Sequence, residues 1–343
     1  MTASTNHAVG AHLVGSVPLA DAPTVFREVS RVLGAHLKRI PDGETGLRSN
    51  WVAWQLPLFL NDPALEGSDS EPDYGTGARV GLRAGHSASA MKLTSLGYAA
   101  AARESFECFE RLKRDGTVPP HCRFQVCLPT PTAPIHLWVR TADQREVEAA
   151  YEAAMMRELD AILAAIPHDQ LAIQWDTAVE FGVLEGCFPT FMKDPMAEIA
   201  DRLQRLGNRV PDDVELGYHL CYGDAGHQHF VQPKDMQLLV DVARNLVADL
   251  KRPLNWLHMP VPRDREDDEY FAPAGHLQLA ETTEFYLGLV HFSDGVAGAR
   301  KRIQAAAKHI AHFGVATECG FGRRPPETVS GLLQIHEEIA SPR

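Results

Sequence analysis

The sequence predicts an α/β protein, a (β/α)8 TIM barrel in a single domain spanning residues 1–343, with an inserted loop after the second strand. Three observations carry this reading. Eight short apolar runs recur along the 343 residues. Helix-length stretches separate nearly all of them, and eight such units over more than about 250 residues are what this barrel requires. The runs are continuous rather than alternating, as expected of strands buried on both faces.

In chain order, AHLVGS (11–16) reads as the first strand and PTVFREVSRVLGAHL (23–37) as a helix. KRIPDGE (38–44) is a short strand ending in a turn, and NWVAWQLPLFL (50–60) reads as helical. Residues 61–93, rich in Gly, Pro, Ser and Asp, are expected to be an inserted loop or lid, with a short strand at ARVGLR. A helix over 94–116 leads to the strand RFQVCLPTPTAP (123–134), which runs into a Pro-rich loop. Residues 144–166 have strong helical spacing, followed by the strand LAIQWD (171–176) and a helix over 194–207. Then come the strand ELGYHLC (215–221), a helix over 235–250, the strand LNWLHMP (254–260) and a weaker helical stretch near 270–282. EFYLGLVHF (284–292) and GVATECG (314–320) are the last strands, followed by helices at 295–310 and 325–340 respectively.

Composition narrows the function classes. The net charge of -12 argues against a nucleic-acid groove, which needs a basic face, and does not favour an anionic membrane surface. No apolar run approaches the roughly 20 residues of a membrane helix. The start MTASTNHAVGAHLVGS lacks the basic beginning and long apolar core of a signal peptide, so a cytoplasmic location is expected. Six scattered cysteines do not form a disulfide framework. Cys108, Cys122, Cys127 and Cys187 read as small core residues.

The polar residues collect at the C-terminal ends of the strands. These are Gly15-Ser16, Asp42-Gly43-Glu44, Asp176, His219 with Cys221, His258, the group His291, Ser293 and Asp294, and Glu318-Cys319. In this fold the chemistry comes from that face. His219 and Cys221, two apart on one strand, point the same way. With Cys319 from the last strand they form a donor set that suits Zn²⁺, and His258 is placed to be a fourth ligand. His227 and His229 read as ordinary core or surface histidines, and RDREDDE as a solvated acidic loop. Arg323 and Arg324 either hold an anionic substrate group or are solvated at a helix start. Trp51, Trp54 and Trp175 either line the mouth or pack in the core.

These segments resemble cobalamin-independent methionine synthase, specifically its C-terminal catalytic barrel, within the superfamily that includes uroporphyrinogen decarboxylase. LVGSVP resembles the opening Gly-Ser turn, PDGETGLRSNWVAWQ the Gly-Glu segment, IQWD the Gln-x-Asp strand, YHLCYGD the His-x-Cys zinc strand and TECGFGRR the final Cys-Gly segment. The similarity spans nearly the whole chain except residues 61–93. It implies a zinc-dependent methyltransferase that activates a thiol acceptor as thiolate. It implies that Glu44 and Asp176 hold the amino group of a thiol amino acid, with Ser16 near its carboxylate, and that His219, Cys221 and Cys319 bind zinc. The methyl donor is left open among a folate, a methyl-cobalamin protein and a methylated metabolite.

The sequence departs from the family at two places. Where the family has a glutamate ligand, LNWLHMPVPR carries His258, which would leave the resting site with net charge zero rather than -1. The family's Asp-x-His segment reads VHFSDG, so the acid-base role either shifts to His291, with Asp294 as its catalytic companion, or is lost to Ser293. The competing readings are a metal-free lyase of the decarboxylase branch and a non-catalytic zinc-binding homologue.

Overall fold

The computed structural model describes residues 8–68, 79–224 and 228–343. Eight parallel strands make one sheet: β1 (Ala8–Ala11), β2 (Arg39–Pro41), β3 (Arg123–Pro129), β4 (Leu171–Thr177), β5 (Glu215–Leu220), β6 (Trp256–Pro260), β7 (Glu284–Val290) and β8 (Phe313–Thr317). Their order is β1-β8-β7-β6-β5-β4-β3-β2. The sheet curls into a TIM-like barrel that is not closed by a continuous ladder. Between β1 and β2 there is only a bridge from Ser16 to Gly43, with the Val17 amide donating to the Gly43 carbonyl at 2.8 Å.

Helices cover the outside as the sequence predicts. Ala22–Leu33 starts where the Asp21 carboxylate accepts the Thr24 amide at 2.8 Å, with Pro23 in its first turn, and it buries Val25, Phe26, Val29 and Leu33. Tyr98–Arg114, Thr141–Ala165, Pro195–Asn208, Gln237–Ala248, Gly295–Ala306 and Val329–Ile339 follow their strands.

Four elements differ from the sequence reading. β1 spans Ala8–Ala11 rather than 11–16; its register with β8 shifts between Ala8 and Ala11, and beyond it the His12 amide donates to the Val315 carbonyl at 2.9 Å. The expected loop PTPTAP turns into the helix Thr132–Trp138; Pro134 falls in its first turn, where no backbone donor is needed. The stretch 50–60 is 3₁₀ helix over Gly46–Gln55, broken at Asn50 and Trp51, then α-helix over Leu56–Leu60. Near 270–282 only Asp268–Phe271 and a 3₁₀ turn at Ala272–His276 are helical. Within 61–93, Leu65–Gly67 pairs antiparallel with Val80–Leu82, as expected for ARVGLR, and Asp143 accepts the Leu82 amide at 2.8 Å. Residues 69–78 of this stretch lie outside the described residues.

Parallel register stacks the inward side chains in layers. At the bottom, the buried Arg39 guanidinium lies between Glu215 and Glu284, and over the Trp256 ring at 4.1 Å. One layer up, Gln174, Gly217 and Trp256 are register partners. Gly217 is required here, since a Cβ would lie 1.9 Å from the indole. At the top, Asp176, His219 and His258 are partners in turn. Three consecutive strands thus deliver a carboxylate and two imidazoles at one height.

Candidate metal and substrate site

The ligand atoms of His219, Cys221 and Cys319 all lie within 4.8 Å of one another. The end of β5 supplies the first two, and the turn after β8 the third. Burial and a hydrogen bond to its neighbour act together on Cys221: the contact with Cys319 and the apolar surroundings push its thiol well above the usual range. Arg323 approaches Cys319 Sγ at 3.7 Å and pairs with Asp224 at 2.7 Å.

His258 is placed outside this trio, and both its ring nitrogens are engaged. Nε2 is 3.0 Å from the Thr317 carbonyl, which can only accept, so Nε2 carries the hydrogen. Complete burial depresses the His258 pKa to about 3, so the ring is neutral. Its bare Nδ1 then accepts from His219 Nδ1–H at 2.7 Å. Burial, with His258 nearby, likewise keeps His219 neutral, which leaves His219 Nε2 unprotonated and free to donate to a metal. The chain Thr317–His258–His219 has the form of the hydrogen-bonded relays that orient metal-bound histidines.

A second trio, Glu44, Cys127 and Asp176, meets the same distance criterion. Burial raises Glu44 to about 7, with Asp42 also raising it and Arg48 and Arg323 opposing. Burial also pushes Asp176 well above the carboxylate range, and the Glu44 charge adds to this. Gln174 Nε2 donates to Asp176 at 2.8 Å, while its Oε1 faces His12 Nε2 at 2.8 Å and accepts from Trp256 Nε1 at 3.2 Å. Two recessed carboxylates that resist ionising together make a site that a substrate ammonium would relieve.

His219, Cys221 and Cys319 and the carboxyls Glu44 and Asp176 line one cavity of about 550 Å³, together with Ser16, Trp51, Trp138, Phe188, Phe230 and Arg323. Glu44 (φ 49°) and Trp51 (φ 45°) are the non-glycine residues with positive φ among the described residues, and both face this cavity. Such strain costs about 1–3 kcal/mol and concentrates at functional sites. The Ser16 carbonyl accepts the Phe321 amide at 2.7 Å, and its Oγ accepts the Gly322 amide at 3.2 Å, tying the first strand's end to the Cys319 turn.

The remaining expected residues lie elsewhere. His291 and Asp294 do not line the cavity. His291 Nε2 donates to the Val261 carbonyl at 2.9 Å, and burial holds its pKa down to about 4. Asp294 forms a two-point ion pair with the fully buried Arg302, at 2.7 and 2.9 Å. Trp175 is wholly buried, and Trp54 packs edge-on against Tyr98 at 4.8 Å, so of the three tryptophans considered only Trp51 reaches the mouth. His229 lies 3.8 Å from Glu318, a buried carboxyl raised to about 8; His227 lies outside the described residues. Sequence reasoning assigned Cys127 to the core. Its position one register step below Asp176, opposite Gln174, could have marked it. Asp224, three residues past a metal-type cysteine, went unnoticed as the partner of Arg323.

The raised Glu44 has a consequence for stability. A carboxyl whose folded pKa lies above its unfolded value of about 4.3 favours the fold while protonated, and that contribution is lost as pH rises toward about 7. Thermal melts of wild type should therefore fall between pH 5 and 7.5. Glu44→Gln should flatten that slope and gain about 1–2 kcal/mol at pH 8, a figure discounted for partial exposure. A slope unchanged in the variant would place the titrating group elsewhere.

The architecture and the paired trios define a parallel α/β barrel with a candidate metal centre in its mouth. No family model matches the sequence, and no curated protein matches it. Solved structures do. One, from Listeria monocytogenes and provisionally described as a vitamin-B12-independent methionine synthase, superposes with a TM-score of 0.59 at 16% identity, covering 96% of this chain and 97% of that one. Another, a B12-independent methionine synthase from Shewanella sp. W3-18-1 in complex with selenomethionine, gives a TM-score of 0.54 at 12% identity, covering 96% of each chain. At these identities the likeness is one of fold. No helix among the described residues is long and apolar enough to cross a membrane.

Proposed function

We propose that the protein is a zinc-dependent methyltransferase, or alkyltransferase, acting on a thiol acceptor. The observation that carries this reading is the convergence of His219, Cys221 and Cys319 in the mouth of the barrel. The donor set fits zinc: one neutral imidazole and two sulfurs, with three protein ligands leaving a fourth position for substrate, as catalytic sites do. Bound zinc would lower the pKa of an incoming thiol so that a thiolate exists at neutral pH. The fold shared with the methionine synthases supports the same class.

The chain's own residues account for the rest. His258 fixes the tautomer of His219 through the Nδ1 contact. Glu44 and Asp176 hold the acceptor's amino group, and Ser16 borders its other end. Arg323 borders Cys319 and is held there by Asp224. The site still has net charge zero, two thiolates balancing the ion. Neutral His258 would add no charge inside or outside the coordination sphere, so the zero follows from the absence of a carboxylate ligand.

His258 is accordingly a positioning residue. His258→Ala should weaken zinc affinity by about 10- to 100-fold, and His258→Gln, which keeps an acceptor, should recover part of that. Competition with a chromophoric chelator measures this, and equal affinity in all three proteins would remove the proposed role. The reading as a whole is tested by mixing zinc-loaded protein with homocysteine at pH 7. Release of about one proton per chain is expected, and none from Cys319→Ser. No proton release from zinc-loaded wild type would favour a homologue that binds metal without activating a thiol.

A further inference from the structure

The transferase reading leaves the methyl donor open, and the cavity's walls bear on it. Trp51, Trp138, Phe188 and Phe230 supply aromatic surface, with Phe188 and Phe230 edge-to-face at 5.1 Å. The ionisable oxygen groups are acidic: Glu44, Asp176 and Asp224. Among the described lining residues the one cation is Arg323, and its guanidinium is engaged by Asp224 at 2.7 Å. Aromatic faces with carboxylates attract a cation that has no hydrogens to donate. They offer nothing to a polyanionic tail, and the chain's net charge of -12 disfavours one further.

The acid-base pair that the sequence offered is absent from the cavity lining, so the acids left there are Glu44 and Asp176, the carboxyls that hold the acceptor, Asp224 being paired with Arg323. A methyl group leaving a neutral amine needs a proton delivered to the departing nitrogen. His291 and Asp294, the residues the sequence offered for that task, are outside the cavity and engaged with Val261 and Arg302.

We propose that the donor is a small methyl-onium compound, a sulfonium or quaternary ammonium, held against the aromatic walls of Trp51, Trp138, Phe188 and Phe230, while Glu44 and Asp176 serve the acceptor. This rests on the transferase reading. In the step, a lone pair of the acceptor thiolate forms the new S–C bond while the C–S⁺ or C–N⁺ bond breaks. The bonding pair stays on the leaving atom, which departs neutral. One negative and one positive reactant give two neutral products, and no proton is needed.

The test uses zinc-loaded full-length protein and calorimetric titration with choline and with its uncharged isostere 3,3-dimethyl-1-butanol. Choline should bind about tenfold more tightly or better. Trp51→Leu and Phe230→Leu, the second in case the strained Trp51 position affects folding, should each weaken choline several-fold and leave the alcohol unchanged. In parallel, homocysteine is incubated with trimethylsulfonium, with choline or with a polyglutamylated methyl-folate, and methionine is measured. Product from trimethylsulfonium alone identifies the sulfonium branch, and product from choline alone the ammonium branch. Equal binding of choline and the alcohol, failure of both to bind, or product from the folate alone overturns the proposal. Zinc content of the same samples separates this from failure of the transferase reading: zinc-free, folded protein defeats the latter, while the choline comparison still reports on the cavity.

Discussion

Replacing Cys319 with serine should lower zinc affinity by two to three orders of magnitude while leaving the metal-free fold intact. Apparent zinc affinities of about 10–16 kcal/mol over four ligands assign each ligand about 3–4 kcal/mol. Serine is close in size but is a poor ligand at neutral pH, and the Cys319 side chain lies at the cavity surface, so packing changes little. Cys221→Ser should behave the same way on metal. Cys187→Ser, outside the trio, and Cys127→Ser, in the carboxylate trio, should both retain one zinc per chain. Elemental analysis of protein purified without added metal reads all four at once. Retention of zinc in Cys221→Ser and Cys319→Ser would show that the ion, if present, sits elsewhere.

Arg39→Met should be the most destabilising single change at the opposite pole, costing about 3–5 kcal/mol in denaturant unfolding. It removes a buried cation that satisfies Glu215 and Glu284 and stacks on Trp256. Burial alone would raise Glu284, but Arg39 and Arg343 hold it down to about 2. A depressed carboxyl stabilises the fold above its unfolded value of about 4.3, and that contribution is lost as pH falls through about 2. The gap between wild type and Arg39→Met should therefore be full at pH 7 and narrow below pH 4.3. Adding Glu215→Gln and Glu284→Gln should recover part of the loss, because it removes two carboxylates that are left only to the more peripheral Arg123, Lys38 and Arg343. A gap independent of pH would mean that packing of the arginine stem, and not its ion pairs, dominates.

Much of this organisation was legible in the sequence, for physical reasons that can be named. Continuous apolar runs mark strands buried on both faces, so the eight strands and their order of chemistry could be read from LAIQWD, ELGYHLC and LNWLHMP. Two-residue alternation put His219 and Cys221 on one side. The sequence does not reveal which ring nitrogen a histidine uses. His258 stands at the right height on the right strand, but the nearby Thr317 carbonyl and His219 take both its nitrogens, and neither contact is local in sequence. Asp294 is removed from the chemistry by a nearer partner, Arg302, about two turns along the helix that Asp294 begins. Cys127 was hidden because a thiol inside an apolar run looks like any small core residue. The helix Thr132–Trp138 was hidden because proline reads as a breaker unless its place in the first turn is known.

The central claim is a three-ligand zinc centre with a position open to a thiol. X-ray absorption at the zinc edge, with and without homocysteine, tests it most directly. The account predicts two sulfur neighbours at about 2.3 Å and one imidazole nitrogen at rest, rising to three sulfurs when the thiol is added. A resting shell without sulfur, or one that homocysteine leaves unchanged, would contradict it.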